Sequence, residues 1–123
     1  MQIQIRIADI ILTATLRNTP TAQAILAALP IDSRAQTWGE EVYFSTPVNV
    51  ELEPDARDVV QAGELAFWIE GPCIAIGFGP TPISRGDEIR LAARTNIWAD
   101  TEDDVRQLKV IQAGAPIHIE ALP

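Results

Sequence analysis

Residue types that can carry chemistry are sparse in this sequence, and their spacing limits what each can do. Cys73 is the only cysteine and His118 the only histidine. A zinc site needs several imidazole or thiolate ligands converging on one ion, so no metal is expected. A cysteine nucleophile needs an activating base and a lowered pKa. Cys73 lies instead in the apolar run Cys73 to Phe78, where cysteine behaves as a small hydrophobe. Ser45 and Ser84 have no triad-like context. Glu40 and Glu41 are adjacent acids, but neighbours on a strand point to opposite faces. They cannot serve one substrate atom as acid and base, and a solvated strand edge is the expectation. Gly77-Phe78-Gly79 begins like a dinucleotide loop, yet Pro82 stands where a third glycine is required and no helix pattern follows. No catalytic residue and no cofactor is expected from these groups.

The aromatic residues are more informative. Trp68 is out of phase with Leu65, Phe67 and Ile69, which share one strand face. Aromatic rings lining a concavity, with an arginine nearby, suit an apolar or carboxylate-bearing ligand. A binding cleft is therefore expected from Trp38, Tyr43, Phe44, Trp68, Phe78 and Arg90.

The elements that must position these residues read as short strands. Ile3, Ile5 and Ile7 alternate with Gln2, Gln4 and Arg6, and Ile10, Leu12, Ala14 and Leu16 resume the alternation after Ala8-Asp9. That is an opening hairpin whose turn lacks glycine. Thr19-Pro20 caps and starts a helix, and Pro30 ends it. Strands are expected at Ser33 to Trp38, around Val42 and Phe44, and at Val48, Val50 and Leu52. Gly63 to Phe78 is a buried hairpin turning at Gly71-Pro72. Ala75 and Gly77 alternate there with Ile74, Ile76 and Phe78, a taper that suits the inner face of a small barrel. Glu88 to Leu91 and Asn96 to Ala99 read as two further strands. Asp100 to Asp104 places acids at the start of a second helix that Gly114 ends, and Ile117 and Ile119 mark the last strand, with His118 on its exposed side.

Composition sets the frame. At 123 residues the chain forms one domain, residues 1–123, able to bury about two thirds of its unfolded surface in one core. A net charge of −8 with nine scattered basic residues excludes non-specific nucleic-acid binding and gives no basic patch for an anionic membrane. The N-terminal residues alternate rather than forming an apolar signal core, and the single cysteine makes no intramolecular disulfide, so a reducing cytoplasmic setting is expected. Self-association into a homo-oligomer is compatible with all of this.

Three separated motifs carry a family resemblance. They are Trp38-Gly39-Glu40-Glu41-Val42-Tyr43-Phe44-Ser45-Thr46-Pro47-Val48, Gly63-Glu64-Leu65-Ala66-Phe67-Trp68 and Phe78-Gly79-Pro80-Thr81-Pro82-Ile83-Ser84, followed by Asp87-Glu88-Ile89-Arg90. Together they resemble the small bacterial and archaeal cyclophilin-like proteins of unknown function. The resemblance spans essentially the whole chain. It implies an all-β, closed cyclophilin-like barrel of about eight strands with two short helices. Where that family has a Pro-Ala-Ser-Pro-like stretch after its arginine, this chain has Leu91-Ala92-Ala93-Arg94.

The resemblance leaves activity open. Cyclophilins that isomerise X-Pro bonds aim an arginine at the proline nitrogen and carry a Phe-Met-x-Gln strand, which is absent here. The leading expectation is a non-catalytic binding module for a small molecule or peptide. The alternatives are a weak peptidyl-prolyl isomerase in which Arg90 or Arg94 replaces the missing arginine, and, on fold analogy alone, an accessory domain partnering an amidohydrolase-type enzyme.

Overall fold

The alternating isoleucines Ile3, Ile5 and Ile7 form strand β1 (Gln2–Ile7), and all three are fully buried. The chain turns at Ala8-Asp9 into β2 (Ile10–Leu16). Ala8 takes a φ of 52° in that turn, and its N–H donates to the Pro116 carbonyl at 3.0 Å. Helix α1 (Pro20–Ala28) starts as its cap requires: the Thr19 side chain accepts from the Ala22 N–H, and Pro20 occupies the first turn. Thr21, Ala22 and Ile25 are its buried residues, and Ala22 and Ile25 join the main core. The computed structural model describes residues 1–123.

Two short strands follow, β3 (Ile31–Arg34) and β4 (Gln36–Thr37), then β5 (Glu41–Ser45). After an extended segment come β6 (Arg57–Val60), the hairpin β7 (Glu64–Trp68) and β8 (Cys73–Gly77), the long strand β9 (Ile89–Thr101) and β10 (Pro116–Ala121). Their order in the sheet is β3-β10-β1-β2-β9-β7-β8-β5-β4, with β6 pairing off this path onto β9. The two ends of that path, β3 and β4, are separated in the chain by Ala35 alone, so the sheet curls into a nearly closed barrel. The barrel is mostly β, as expected, with ten strand segments in place of about eight.

Strand alternation sends side chains into two apolar layers. The barrel interior holds Leu65, Phe67, Ile74, Ile76, Phe44, Phe78 and Trp98 with the isoleucines of β1 and β10. Trp98 is fully buried and its Nε1–H donates to the Ala66 carbonyl at 3.2 Å. A second, smaller layer lies outside the barrel wall, built from Val60, Ala66, Ala75, Ile89, Leu91 and Ile97. The small and large residues of β8 therefore alternate across the barrel wall, where the sequence suggested a taper along its inner face. The large residues Ile74 and Ile76 fill the interior, while Cys73, Ala75 and Gly77 face outward. Gly77 has to be small because β9 packs on it: a Cβ there would stand 2.4 Å from the Ile89 Cγ2.

Three further elements differ from the sequence pattern. Val48, Val50 and Leu52 form no strand; their segment is held by Asn96. The Asn96 Nδ2 donates to the Glu51 carbonyl and to the Thr21 hydroxyl, both at 2.9 Å, and its Oδ1 accepts from the Glu53 N–H at 2.8 Å. The expected strands Glu88 to Leu91 and Asn96 to Ala99 are parts of one strand, β9. The second helix is a 3-10 helix at Val105–Val110, with the Asp104 side chain accepting from the Arg106 N–H. Val105, Leu108 and Ile111 are all buried, a spacing of three that matches the 3-10 repeat. No helix is long and apolar enough to cross a membrane.

Candidate functional site

The outward faces of β5, β7 and β8 define one shallow surface. Antiparallel register sets Tyr43 opposite Ala75, Ser45 opposite Cys73, and Glu41 opposite Gly77. Across the other edge of β8, Trp68 stands opposite Cys73 and Ala66 opposite Ala75. Small residues on β8 thus form a floor between larger ones on its neighbours.

Strand β9 supplies a wall. In its pairing with β6, Arg57 stands opposite Thr95 and Val59 opposite Arg90. Leu91, Ala92, Ala93 and Arg94 therefore oppose the single residue Asp58, and the surplus residues form a bulge. Bulges of this kind re-aim side chains and recur beside binding sites. Leu91, Ala92 and Ala93 line the cleft together with Trp38, Glu41, Tyr43, Trp68, Cys73, Ala75 and Thr95, enclosing about 180 Å³. An engineered cavity of about 150 Å³ admits benzene, so this space accepts a group of aromatic-ring size.

Trp38 reaches the site from the β4–β5 turn. Its N–H donates to the Glu41 carbonyl at 3.1 Å, and Gly39 follows with a φ of 58°. A Cβ on Gly39 would stand 2.9 Å from the Thr81 Cα, so this turn packs directly on the Gly79 to Ser84 loop. That loop is held in turn by Ser84, whose Oγ accepts from the Thr81 and Arg90 N–H groups at 2.9 and 3.1 Å. The Tyr43 hydroxyl donates to the Gln36 Oε1 at 3.1 Å, fixing the ring at the rim.

Of the residues singled out in the sequence, Trp38, Tyr43 and Trp68 meet at this cleft. Phe44 and Phe78 point into the barrel interior. Phe44 is in phase with Val42, not with Tyr43, so strand alternation alone separates it from the cleft. Arg90 lies elsewhere: its guanidinium pairs with Glu88 and with Asp58, the latter at 2.8 Å. Those carboxylates raise its already high proton affinity. Arg94 is exposed, and its Nε donates to the Ala56 carbonyl at 3.3 Å.

Glu41 departs from the expectation of a solvated strand edge. Glu40 is exposed, but Glu41 is only 6% exposed. Desolvation pushes its carboxyl up to about 7, because removal from water disfavours the charged form. The clue in the sequence is phase: Glu41 and Tyr43 are two apart on one strand and share a face. Cys73 is buried on the floor, with its Sγ 4.0 Å from the Ser45 Oγ. Burial raises its thiol pKa, and the nearby Glu41 carboxylate adds to that rise. His118 lies on β10, away from the cleft, with Nδ1 2.7 Å from the Asp32 Oδ1. That carboxylate raises the pKa of the imidazole.

A family model described as Cyclophilin-like matches residues 1–120. The solution structure of a hypothetical protein from Archaeoglobus fulgidus is similar, with a TM-score of 0.84 and 38% sequence identity over 99% of this chain and 95% of that one. A search of curated proteins found no match.

Proposed function

The chain belongs to the cyclophilin-like family, and from that membership together with the cleft geometry we propose that it is a binding module. Its occupant is a small molecule, or the side chain of a peptide, with an apolar group about the size of an aromatic ring. The observation that carries this reading is the cleft of about 180 Å³, in which Trp38, Tyr43 and Trp68 surround a floor of Cys73 and Ala75. Sites for small ligands combine such apolar and aromatic linings with few polar groups. Here the polar members are Glu41 and Thr95, and the Thr95 hydroxyl is already spent on the Arg57 carbonyl at 2.9 Å.

No comparable observation favours proline isomerisation. Lowering the rotation barrier calls for a donor at the proline nitrogen, whereas Arg90 is committed to Glu88 and Asp58 and the cleft lining contains no cation.

Native mass spectrometry of gently purified protein tests the binding reading. A reproducible additional mass that disappears on unfolding, and that is lost in Trp68→Ala, is the expected result. Failure of ring-sized apolar compounds to raise the melting temperature, as ligand linkage requires, would count against it.

A further inference from the structure

Glu41 is more than nine-tenths buried, and desolvation is the one influence on its proton affinity: no hydrogen bond or cation within the protein offsets it. Every fully enclosed side-chain polar atom in the protein has a partner, so the unpartnered Glu41 oxygens reach the open space of the cleft that the residue lines. Three aromatic residues, Trp38, Tyr43 and Trp68, line the same space. The other titratable groups facing it are the Cys73 thiol on β8 and the Tyr43 phenol on β5, and neither brings a positive charge.

A carboxylate in that position treats the charge classes of ligand differently. An anion is repelled. A neutral apolar ligand strips away the remaining water and leaves the charge without a partner, which is costly. An organic cation supplies the missing partner through a charge-assisted hydrogen bond, while the surrounding aromatic faces attract positive charge. Resting on the binding reading above, we infer that the cleft selects a small organic ammonium on an aromatic-sized apolar body, with its charge seated against Glu41. Glu41 is then the specificity-determining residue, and Trp38, Tyr43 and Trp68 hold the apolar part.

The test uses three probes of one shape: phenethylammonium, 2-phenylethanol and 3-phenylpropanoate. Each is titrated into isotope-labelled protein at pH 8, with amide and indole shifts recorded for the wild type and for Glu41→Gln. The ammonium should bind about tenfold tighter than the alcohol, the propanoate should bind most weakly, and the preference should fall to within about twofold in Glu41→Gln, where the charge is gone. A second readout needs no variant: saturating phenethylammonium should lower the midpoint of the Glu41 carboxyl carbon titration, because a nearby cation favours the charged form. Equal or tighter binding of the alcohol, or a preference that survives Glu41→Gln, overturns the cation inference and leaves the binding reading standing. If no probe perturbs Trp38, Tyr43 or Trp68 at millimolar concentration, both fall.

Discussion

Glu41 stands directly opposite Gly77 in the β5–β8 ladder, so the acid's cross-strand neighbour has no side chain with which to meet it. The space beside Gly77 is taken by Ile89 of β9, whose Cγ2 would lie 2.4 Å from a Cβ at that position. The same pairing that leaves the carboxyl without a partner also brings the outer apolar layer against the barrel wall.

Gly77→Ala is predicted to destabilise the protein. The added methyl meets the stiff β-branched Ile89 and also comes within 3.5 Å of the Leu91 Cδ2. Overpacking of this kind costs about 1–3 kcal/mol, readable as a lowered urea midpoint. Because the clash is local, Gly77→Ala combined with Ile89→Ala should lose less than the sum of the two single changes.

Glu41 should impose a pH dependence on stability. Its folded pKa of about 7 lies above the 4.5 of an ordinary glutamate, so the folded state holds that proton more tightly than the unfolded chain. The stabilisation is fully present below pH 4.5 and is lost as pH rises to about 7. Other groups titrate nearby, so the decisive quantity is the difference between wild type and Glu41→Gln. Relative to the variant, the wild type should lose stability as pH rises through that window, at up to about 1.4 kcal/mol per pH unit. A flat difference curve would show that the carboxyl is not desolvated.

Asn96→Ala should cost about 3 kcal/mol, since it leaves the Glu53 N–H, the Glu51 carbonyl and the buried Thr21 hydroxyl short of a partner. Hydrogen exchange gives a sharper signature. The Glu53 amide should lose protection far more than the amides of β1, because the Asn96 Oδ1 is the acceptor that holds it.

Cys73 should alkylate slowly. Its thiol pKa is raised by burial and by the Glu41 charge, so little thiolate is present near neutral pH. Iodoacetamide at pH 8 should modify it about tenfold more slowly than a free thiol of ordinary pKa. Glu41→Gln should speed the reaction, and an occupied cleft should slow it further, both followed by intact mass.

Much of the barrel was legible because its signals are local. Thr19-Pro20 announces its helix, the isoleucines of β1 announce their face, and Trp68 shows by phase alone that it leaves the interior. The cleft depended on longer-range facts. Leu91 to Arg94 look like a break between two strands, since the surplus residues are recognisable as a bulge only once Asp58 is known to oppose them. Glu41 looks solvated until Trp38 and that bulge are placed around it. Phe44, by contrast, could have been separated from Tyr43 by alternation, and Arg90 carried a warning in Glu88, two residues away on the same strand side.

The seam of the barrel bears on how the protein meets other chains. Edge strands offer unpaired backbone groups that recruit foreign strands. Here β3 and β4, the two ends of the main sheet path, follow one another in the chain with only Ala35 between them, and Ala35 is itself bonded through its N–H to the Ala115 carbonyl and through its carbonyl to the Gly114 N–H. Covalent continuity therefore does at the seam what hydrogen bonds do elsewhere around the wall. An incoming strand finds no long free border at that seam.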